Sequence, residues 1–149
     1  MVSSRQAGLW VAIGAVYGLS LAVIGVMMAG GGHGTYLLLG LASAPVSLLG
    51  FGFSLAGPAI LWGVIGALLA DRRKKTPRQL LVGLMLLHYL GVVLVFFVGD
   101  YAEWKYFEKA WTTNPAVVVV GGSLYLAGQI VIWVCWLRAG SRPQLETEA

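Results

Sequence analysis

The chain contains two histidines, and His33 lies in the glycine-rich segment GGGHGTY at residues 30–36. Glycine backbones adopt positive φ and let a ligand approach closely, while an imidazole can ligate a metal or carry protons. Tyr36 adds a hydroxyl to the same segment. We expect a flexible turn whose histidine and tyrosine lie at headgroup level or, alternatively, a ligand- or metal-binding loop. Nucleotide binding is excluded, because the loop has no GxGxxG or Walker pattern.

A second candidate segment is GDYAEWKYFEKAWTTNP, residues 99–115. As a helix, four of its aromatic residues fall within about 120° of arc: Tyr101, Trp104, Phe107 and Trp111. This is typical of a helix lying flat in a membrane interface. The alternative is a lid over the loop of His33, with Asp100 or Glu103 completing a metal or substrate site. One histidine and one acid are too few fixed ligands for zinc, so the sequence names no cofactor.

His88 is the only histidine, acidic or basic side chain inside an apolar run. It lies about 12 Å from the start of that run by helical rise. Placing an ionisable side chain at that depth in a membrane costs free energy, so such a residue is first considered as a functional site. Gln129 lies at the same depth in the last apolar run. We expect His88 to be buried, neutral and hydrogen-bonded to the first or fourth span, above all to Gln129. A proton relay, a quinone contact or a cofactor ligand is the alternative.

The composition places these residues in a membrane. Of 149 residues, 58% are apolar and 11% are charged, whereas soluble domains carry about 25% charged residues. This excludes a disordered chain, a coiled coil and almost any soluble enzyme. Cys135 is the only cysteine, which excludes an internal disulfide. The remaining class is a small polytopic membrane protein.

Four apolar segments are long enough to cross a bilayer, given about 20 residues per crossing. The second apolar run, residues 37–70, would measure about 51 Å as one helix, and Pro45 and Pro58 interrupt it. We expect its first part, to about Ser47, to be interfacial or re-entrant and shielded by protein. The predicted helices are 9–29, 48–70, 80–98 and 116–137, followed by a tail at 138–149.

The basic residues predict the orientation. Four crossings put both termini on one side, and the side richer in lysine and arginine is cytoplasmic. Eight basic residues fall on one side, at positions 5, 72, 73, 74, 75, 78, 138 and 142, against Lys105 and Lys109 on the other. Both termini are therefore predicted to be cytoplasmic. Arg72, Arg73, Lys74 and Lys75 are expected to contact lipid headgroups rather than nucleic acid.

Small residues recur along the first two predicted helices. They fall at positions 14, 18, 22, 25 and 29, and then at positions 52, 56, 59, 63, 66 and 70. Small residues let membrane helices approach closely, and alternation of four and three is typical of a left-handed seam. Gly14, Gly18, Gly25, Gly52, Gly63 and Gly66 are the predicted packing positions. The partner helix belongs either to the same chain or to another copy.

The sequence also carries a resemblance. A first helix, the run His33, Gly34, Thr35, Tyr36, and a second apolar run broken by proline are similar to small bacterial four-helix membrane proteins of unassigned function. The resemblance implies a bacterial cytoplasmic membrane location and no particular activity.

The sequence thus predicts one all-α domain over residues 1–149, an integral membrane bundle of four transmembrane helices with a short outer interfacial helix. We expect a non-enzymatic accessory subunit or oligomer-forming protein that acts through helix packing. Its partners are the bilayer and other membrane subunits or copies of itself. One alternative is a small transporter or ligand-binding protein with a pocket at His33. Another is a cofactor- or quinone-linked enzyme subunit that uses His88.

Overall fold

The computed structural model describes residues 3–29, 39, 41–44, 55–98 and 101–140, without the side chains of residues 29, 95–98, 101–104, 106 and 107. Five helices occupy most of these ranges: α1 (Ser4–Ala29), α2 (Ala56–Ala70), α3 (Lys75–Val98), α4 (Tyr101–Thr113) and α5 (Pro115–Gly140). Residues 41–43 are also helical, and we call residues 41–44 the interrupted segment. The described ranges contain no strand, which confirms the predicted all-α class.

Three helices are long and apolar enough to cross a membrane: α1, α3 and α5. Helix α2 is apolar but shorter, with 15 residues. The predicted helix at 48–70 therefore appears from Ala56 onward, and residues 48–54 lie outside the described ranges. A count of four spans stays a prediction, because α2 alone is shorter than the about 20 residues that a crossing takes.

Two prolines lie where helix starts tolerate them. Pro58 is in the first turn of α2 and Pro115 is the first residue of α5. A first-turn residue needs no intrahelical N–H bond, so proline costs nothing there. The backbone carbonyl of Asn114 accepts hydrogen bonds from Val117 and Val118. Helix α4 thus ends at Thr113 and α5 begins at Pro115, one residue before the predicted start at 116.

Helix α1 packs antiparallel on α2 through glycine. A Cβ added at Gly14, Gly18 or Gly66 would overlap a backbone carbonyl of the opposite helix. The carbonyls belong to Trp62, Pro58 and Trp10, respectively. These close approaches repeat every four residues on both helices, as in small-xxx-small packing. The sequence left the partner of the small residues open, and at these three glycines it is the neighbouring helix of the same chain; the left-handed crossing stays a prediction.

Four parts of the chain lie together at one end of the bundle: the start of α1, the turn after α2, the start of α3 and the end of α5. The guanidinium of Arg72 lies over the Trp10 ring, 5.2 Å from its centroid. The guanidinium of Arg78 lies over the Trp136 ring at 4.3 Å. These contacts join four chain segments that the basic-residue count had placed together.

The buried core lies between α2 and α3. It contains Leu61, Trp62, Ile65, Leu69, Leu81 and Met85, with Leu21 of α1 and Ile132 of α5 against them. Large apolar side chains on the outward faces of α1, α3 and α5 remain exposed. The core is therefore one-sided for each helix, and it positions His88, one helical turn beyond Met85, inside the bundle.

Candidate functional site

His88 is completely buried on α3, with 0% of its surface exposed. Its Nδ1 lies 2.5 Å from the carbonyl oxygen of Ala44, and its Nε2 lies 2.9 Å from the hydroxyl of Tyr125 on α5. A carbonyl oxygen only accepts, so Nδ1 carries a hydrogen; a neutral ring then accepts the Tyr125 proton at Nε2. Both ring nitrogens are engaged by protein groups.

The carbonyls of Ala42 and Ala44 both accept side-chain hydrogen bonds. Proline follows at position 45 and disfavours helical conformation in the residue before it. The last carbonyls of a helix lack intrahelical donors. The indole Nε1 of Trp62 donates to the carbonyl of Ala42 at 3.0 Å. Two side chains, from α2 and α3, thus cap the interrupted segment.

The interrupted segment can approach α3 closely because residue 91 of α3 is glycine. A Cβ at Gly91 would lie 2.8 Å from the Cβ of Ala44, closer than real side chains approach. Ser43 and Ala44 both have 0% exposure. Residues 43 and 44 are therefore enclosed by protein, while residues 41 and 42 are half-buried.

Aromatic rings hold the imidazole from the α1 and α2 side. Trp62 is 1% exposed and meets the His88 ring edge-on, with centroids 5.5 Å apart. Tyr17 of α1 packs edge-on against Trp62 at 4.8 Å. The Tyr17 hydroxyl donates to the backbone carbonyls of residues 124 and 125, each at 3.1 Å. We call His88, Trp62, Tyr17, Tyr125 and the Ala44 carbonyl the His88 cluster.

Gly128 makes room for the tyrosine of α1. A Cβ at this position would overlap the Tyr17 hydroxyl. The close approach lets Tyr17 reach backbone carbonyls of α5 that are already in the helical ladder. The hydroxyl thus links α1 to α5 at the level of the His88 cluster.

A second group of hydrogen-bonded side chains, formed by Tyr89, Gln129 and Trp133, lies beside the His88 cluster. Tyr89 donates its hydroxyl proton to Oε1 of Gln129 at 2.6 Å and accepts a hydrogen bond from Nε1 of Trp133 at 2.8 Å. Gln129 is 8% exposed, and its buried Nε2 has no acceptor among the described residues. Since Tyr89 accepts from the indole, its own proton must point to the amide oxygen.

The prediction that His88 binds Gln129 was wrong. His88 is buried and bound to the fourth apolar helix, as expected, but through Tyr125 rather than Gln129. Gln129 pairs with Tyr89 instead. Gln129 was chosen by its depth, and depth does not distinguish it from Tyr125, one helical turn away on the same helix.

Several predicted site residues lie outside the described part of the chain. They are His33, Tyr36, Asp100 and Gly52, together with the side chain of Glu103. The proposed meeting of the His33 loop with the outer acids therefore stays a prediction. Among the described residues, no group of three or more histidine, cysteine, aspartate or glutamate side chains could hold a metal.

The four basic residues of the 71–75 turn have different settings. Arg72 donates to the carbonyl of Leu69 at 2.7 Å, and Lys74 forms an ion pair with Asp71 at 2.7 Å. Arg73 and Lys75 are exposed. Contact of this turn with lipid headgroups stays a prediction, with Arg73 and Lys75 the more available side chains.

The predicted packing glycines also differ among themselves. Gly63 is buried, but a Cβ there would meet Ala15 at an ordinary 3.7 Å. Gly25 is buried on α1. The close contacts are at Gly14, Gly18 and Gly66, so only some positions of the stripe require glycine.

Sequence reasoning missed Trp62 and Tyr125 as partners of the site. Both lie inside apolar runs and carry one polar atom each, which usually finds a hydrogen-bond partner when buried. An indole four residues after Pro58 and a tyrosine one turn before Gln129 were the available signals. Neither signal identifies the partner without the tertiary arrangement.

Comparison with known proteins gives no relative: no family model matches the chain, and no curated protein or solved structure is significantly similar to it.

Proposed function

We propose that the protein is an integral membrane protein with four spans and cytoplasmic termini, placed in a bacterial cytoplasmic membrane as the sequence resemblance implies. Support comes from α1, α3 and α5, which are long and apolar enough to cross a membrane. The Arg72–Trp10 and Arg78–Trp136 stacks lie at one end of the bundle. Tryptophan and arginine are typical of the membrane–water boundary.

Within that membrane protein, the proposed role is non-enzymatic: an accessory subunit or oligomer that acts through helix packing. The observation that carries this proposal is the closed hydrogen bonding of His88, with 0% exposure and both ring nitrogens bound. Such a histidine ties the interrupted segment to α5. Cofactor ligation by His88 would require one of these two bonds to break.

The outward faces support an association with further chains. A Cβ added at Gly83 of α3 or Gly122 of α5 would have nothing within 4 Å. Small residues at lipid-facing positions allow another helix to approach closely. The proposed partners are therefore other membrane subunits or copies of this chain, in addition to the bilayer.

The test is the mass of the detergent-extracted protein, measured by light scattering and repeated in lipid nanodiscs. We expect more than the 15.8 kDa of one chain, and loss of the assembly in Gly83→Leu or Gly122→Leu with the helical content retained. His88→Gln should leave the assembly intact. A single chain in nanodiscs would contradict the proposal, and a visible absorbance band lost in His88→Gln would favour the cofactor-linked alternative.

A small transporter is the second candidate, favoured by the interrupted segment inside the bundle. Broken helices line the binding sites of many transporters. Here the carbonyls of Ala42 and Ala44 are taken by Trp62 and His88, so they are not free to bind an ion. Gradient-dependent uptake into proteoliposomes, lost on Trp62→Phe, would favour the transporter over the packing role.

A further inference from the structure

Arg78 and Trp136 form a stacked pair at the end of the bundle that carries the basic turn. The guanidinium of Arg78 lies 4.3 Å from the ring centroid of Trp136. Both side chains are half-buried, which fixes the guanidinium more firmly than a free surface arginine. Stacking over a ring engages the face of a guanidinium and leaves its N–H edge available.

The N–H edge of Arg78 has no protein acceptor among the described residues. The ion pair in that part of the chain joins Lys74 to Asp71, and the other stacked arginine, Arg72, donates to the carbonyl of Leu69. Within the described ranges, Arg78 is thus the stacked arginine whose side-chain donors have no acceptor. The indole Nε1 of Trp136 is buried and likewise has no acceptor in the part of the chain that the structure describes.

The end of α5 is shaped to accommodate this arginine. A Cβ at Gly140 would overlap the guanidinium of Arg78, so the arginine occupies space that only glycine leaves free. Around it the charge is positive: Arg73 and Lys75 are exposed in the preceding turn and Arg138 is exposed on α5. The surroundings favour a group that is anionic and rich in acceptors.

We propose that Arg78 and Trp136 form a binding site for the phosphate group of an anionic phospholipid. A phosphate accepts the paired N–H groups of a guanidinium in bidentate geometry, and the Trp136 ring orients the guanidinium toward it. The inference rests on the proposed membrane location, because a stacked arginine at the end of the bundle then lies at headgroup level. It differs from general attraction to the basic turn, since it assigns one lipid to one arginine.

The experiment is native mass spectrometry of the detergent-extracted protein titrated with phosphatidylglycerol or phosphatidylcholine. We expect one retained phosphatidylglycerol, with affinity reduced about tenfold by Arg78→Gln, since a charge-assisted hydrogen bond is lost. Arg78→Lys, which keeps the charge but not the planar fork, and Trp136→Leu should lose most of this binding. Arg73→Gln is the matched control, because it removes the same charge from an exposed position and should retain it.

Three outcomes would overturn the site. Equal losses for Arg73→Gln and Arg78→Gln would reduce the effect to general charge attraction, and equal retention of phosphatidylcholine would remove the anionic preference. Displacement of the lipid by millimolar inorganic phosphate would assign the site to free phosphate. Unchanged thermal unfolding midpoints of Arg78→Lys and Trp136→Leu exclude misfolding as the cause of lost binding.

Failure of the membrane proposal is distinguished by alkaline extraction of membranes. A wild-type protein released by alkaline carbonate would contradict the membrane location itself. A protein that stays in the membrane fraction while Arg78→Gln binds phosphatidylglycerol like the wild type would contradict the lipid site alone.

Discussion

At the residue scale, His88 joins the residue before a proline to α5. Proline disfavours helical conformation in the residue before it, and the carbonyl of that residue, Ala44, accepts a hydrogen bond from Nδ1 of His88. An imidazole offers a donor on one side and an acceptor on the other. It therefore binds the carbonyl and, 2.9 Å away on its opposite nitrogen, the hydroxyl of Tyr125. A leucine at position 88 would leave both groups unpaired.

His88→Leu is expected to lower the free energy of unfolding by about 1–3 kcal/mol, the cost of a buried polar group without a partner. His88→Gln should lose less, because an amide also donates and accepts. Denaturation in detergent, followed by circular dichroism, measures the difference. Equal stability of the wild type and His88→Leu would show that the hydrogen bonds of His88 hold nothing together.

The neighbouring polar group gives a second prediction at this scale. Tyr89→Phe removes the hydroxyl that serves both Gln129 and Trp133, so one acceptor and one donor lose their partners together. Hydrogen bonds between membrane helices average about 0.6 kcal/mol each, and we expect a loss near the sum of two. The same unfolding assay measures the loss. A Tyr89→Phe variant as stable as the wild type would show that neither bond contributes.

At the scale of the elements, α1 and α2 pack through glycines, but only some of these positions are too close to the opposite helix for a larger side chain. Gly66 faces the backbone of Trp10 so closely that a methyl group would overlap it, whereas a Cβ at Gly63 would lie 3.7 Å from Ala15. Both glycines are on α2, three residues apart, and both are buried. Comparing substitutions at these two positions therefore distinguishes the effect of close backbone approach from the effect of burial.

Gly66→Ala is expected to destabilise the protein by about 1–3 kcal/mol, as overpacking does. Gly63→Ala should be neutral or stabilising, because alanine is favoured over glycine within a helix by about 1 kcal/mol. Thermal unfolding midpoints of the two variants, measured in the same detergent, give the comparison. A Gly63→Ala variant as unstable as Gly66→Ala would contradict the assigned register of α1 on α2.

At the scale of the whole molecule, the question is which end of the bundle faces the cytoplasm. Contacts bring the turn after α2 together with the start of α1 and the end of α5, where both stacked arginines lie. The excess of lysine and arginine predicts that this end is cytoplasmic. Helix α4 then lies at the outer end.

Single cysteines test the orientation in a Cys135→Ser background. Thr112 of α4 and Lys75 at the start of α3 are both exposed, so exposure itself does not limit labelling. An impermeant maleimide added to intact cells should label Thr112→Cys and leave Lys75→Cys unlabelled until the cells are opened. Labelling of Lys75→Cys in intact cells would reverse the topology.

The sequence by itself determined where the helices form and which of their faces carry small residues. Apolar run length is a local property, so α1, α3 and α5 were predicted, and their observed ends lie no more than five residues outside the predicted ones. The small residues of the first two helices identified a close contact because backbone approach excludes larger side chains. The role of Gly63 was overstated, since periodicity indicates a face and not a distance.

The tertiary structure alone decided what His88 binds. Tyr125 and Gln129 lie one helical turn apart on α5, a rise of about 6 Å, and matching depths along separate helices does not resolve that interval. The Ala44 carbonyl belongs to a segment whose depth the sequence left open between interfacial and re-entrant. Hydrogen-bond partners depend on the register between helices and on side-chain direction, whereas helix formation depends on the chain's own pattern.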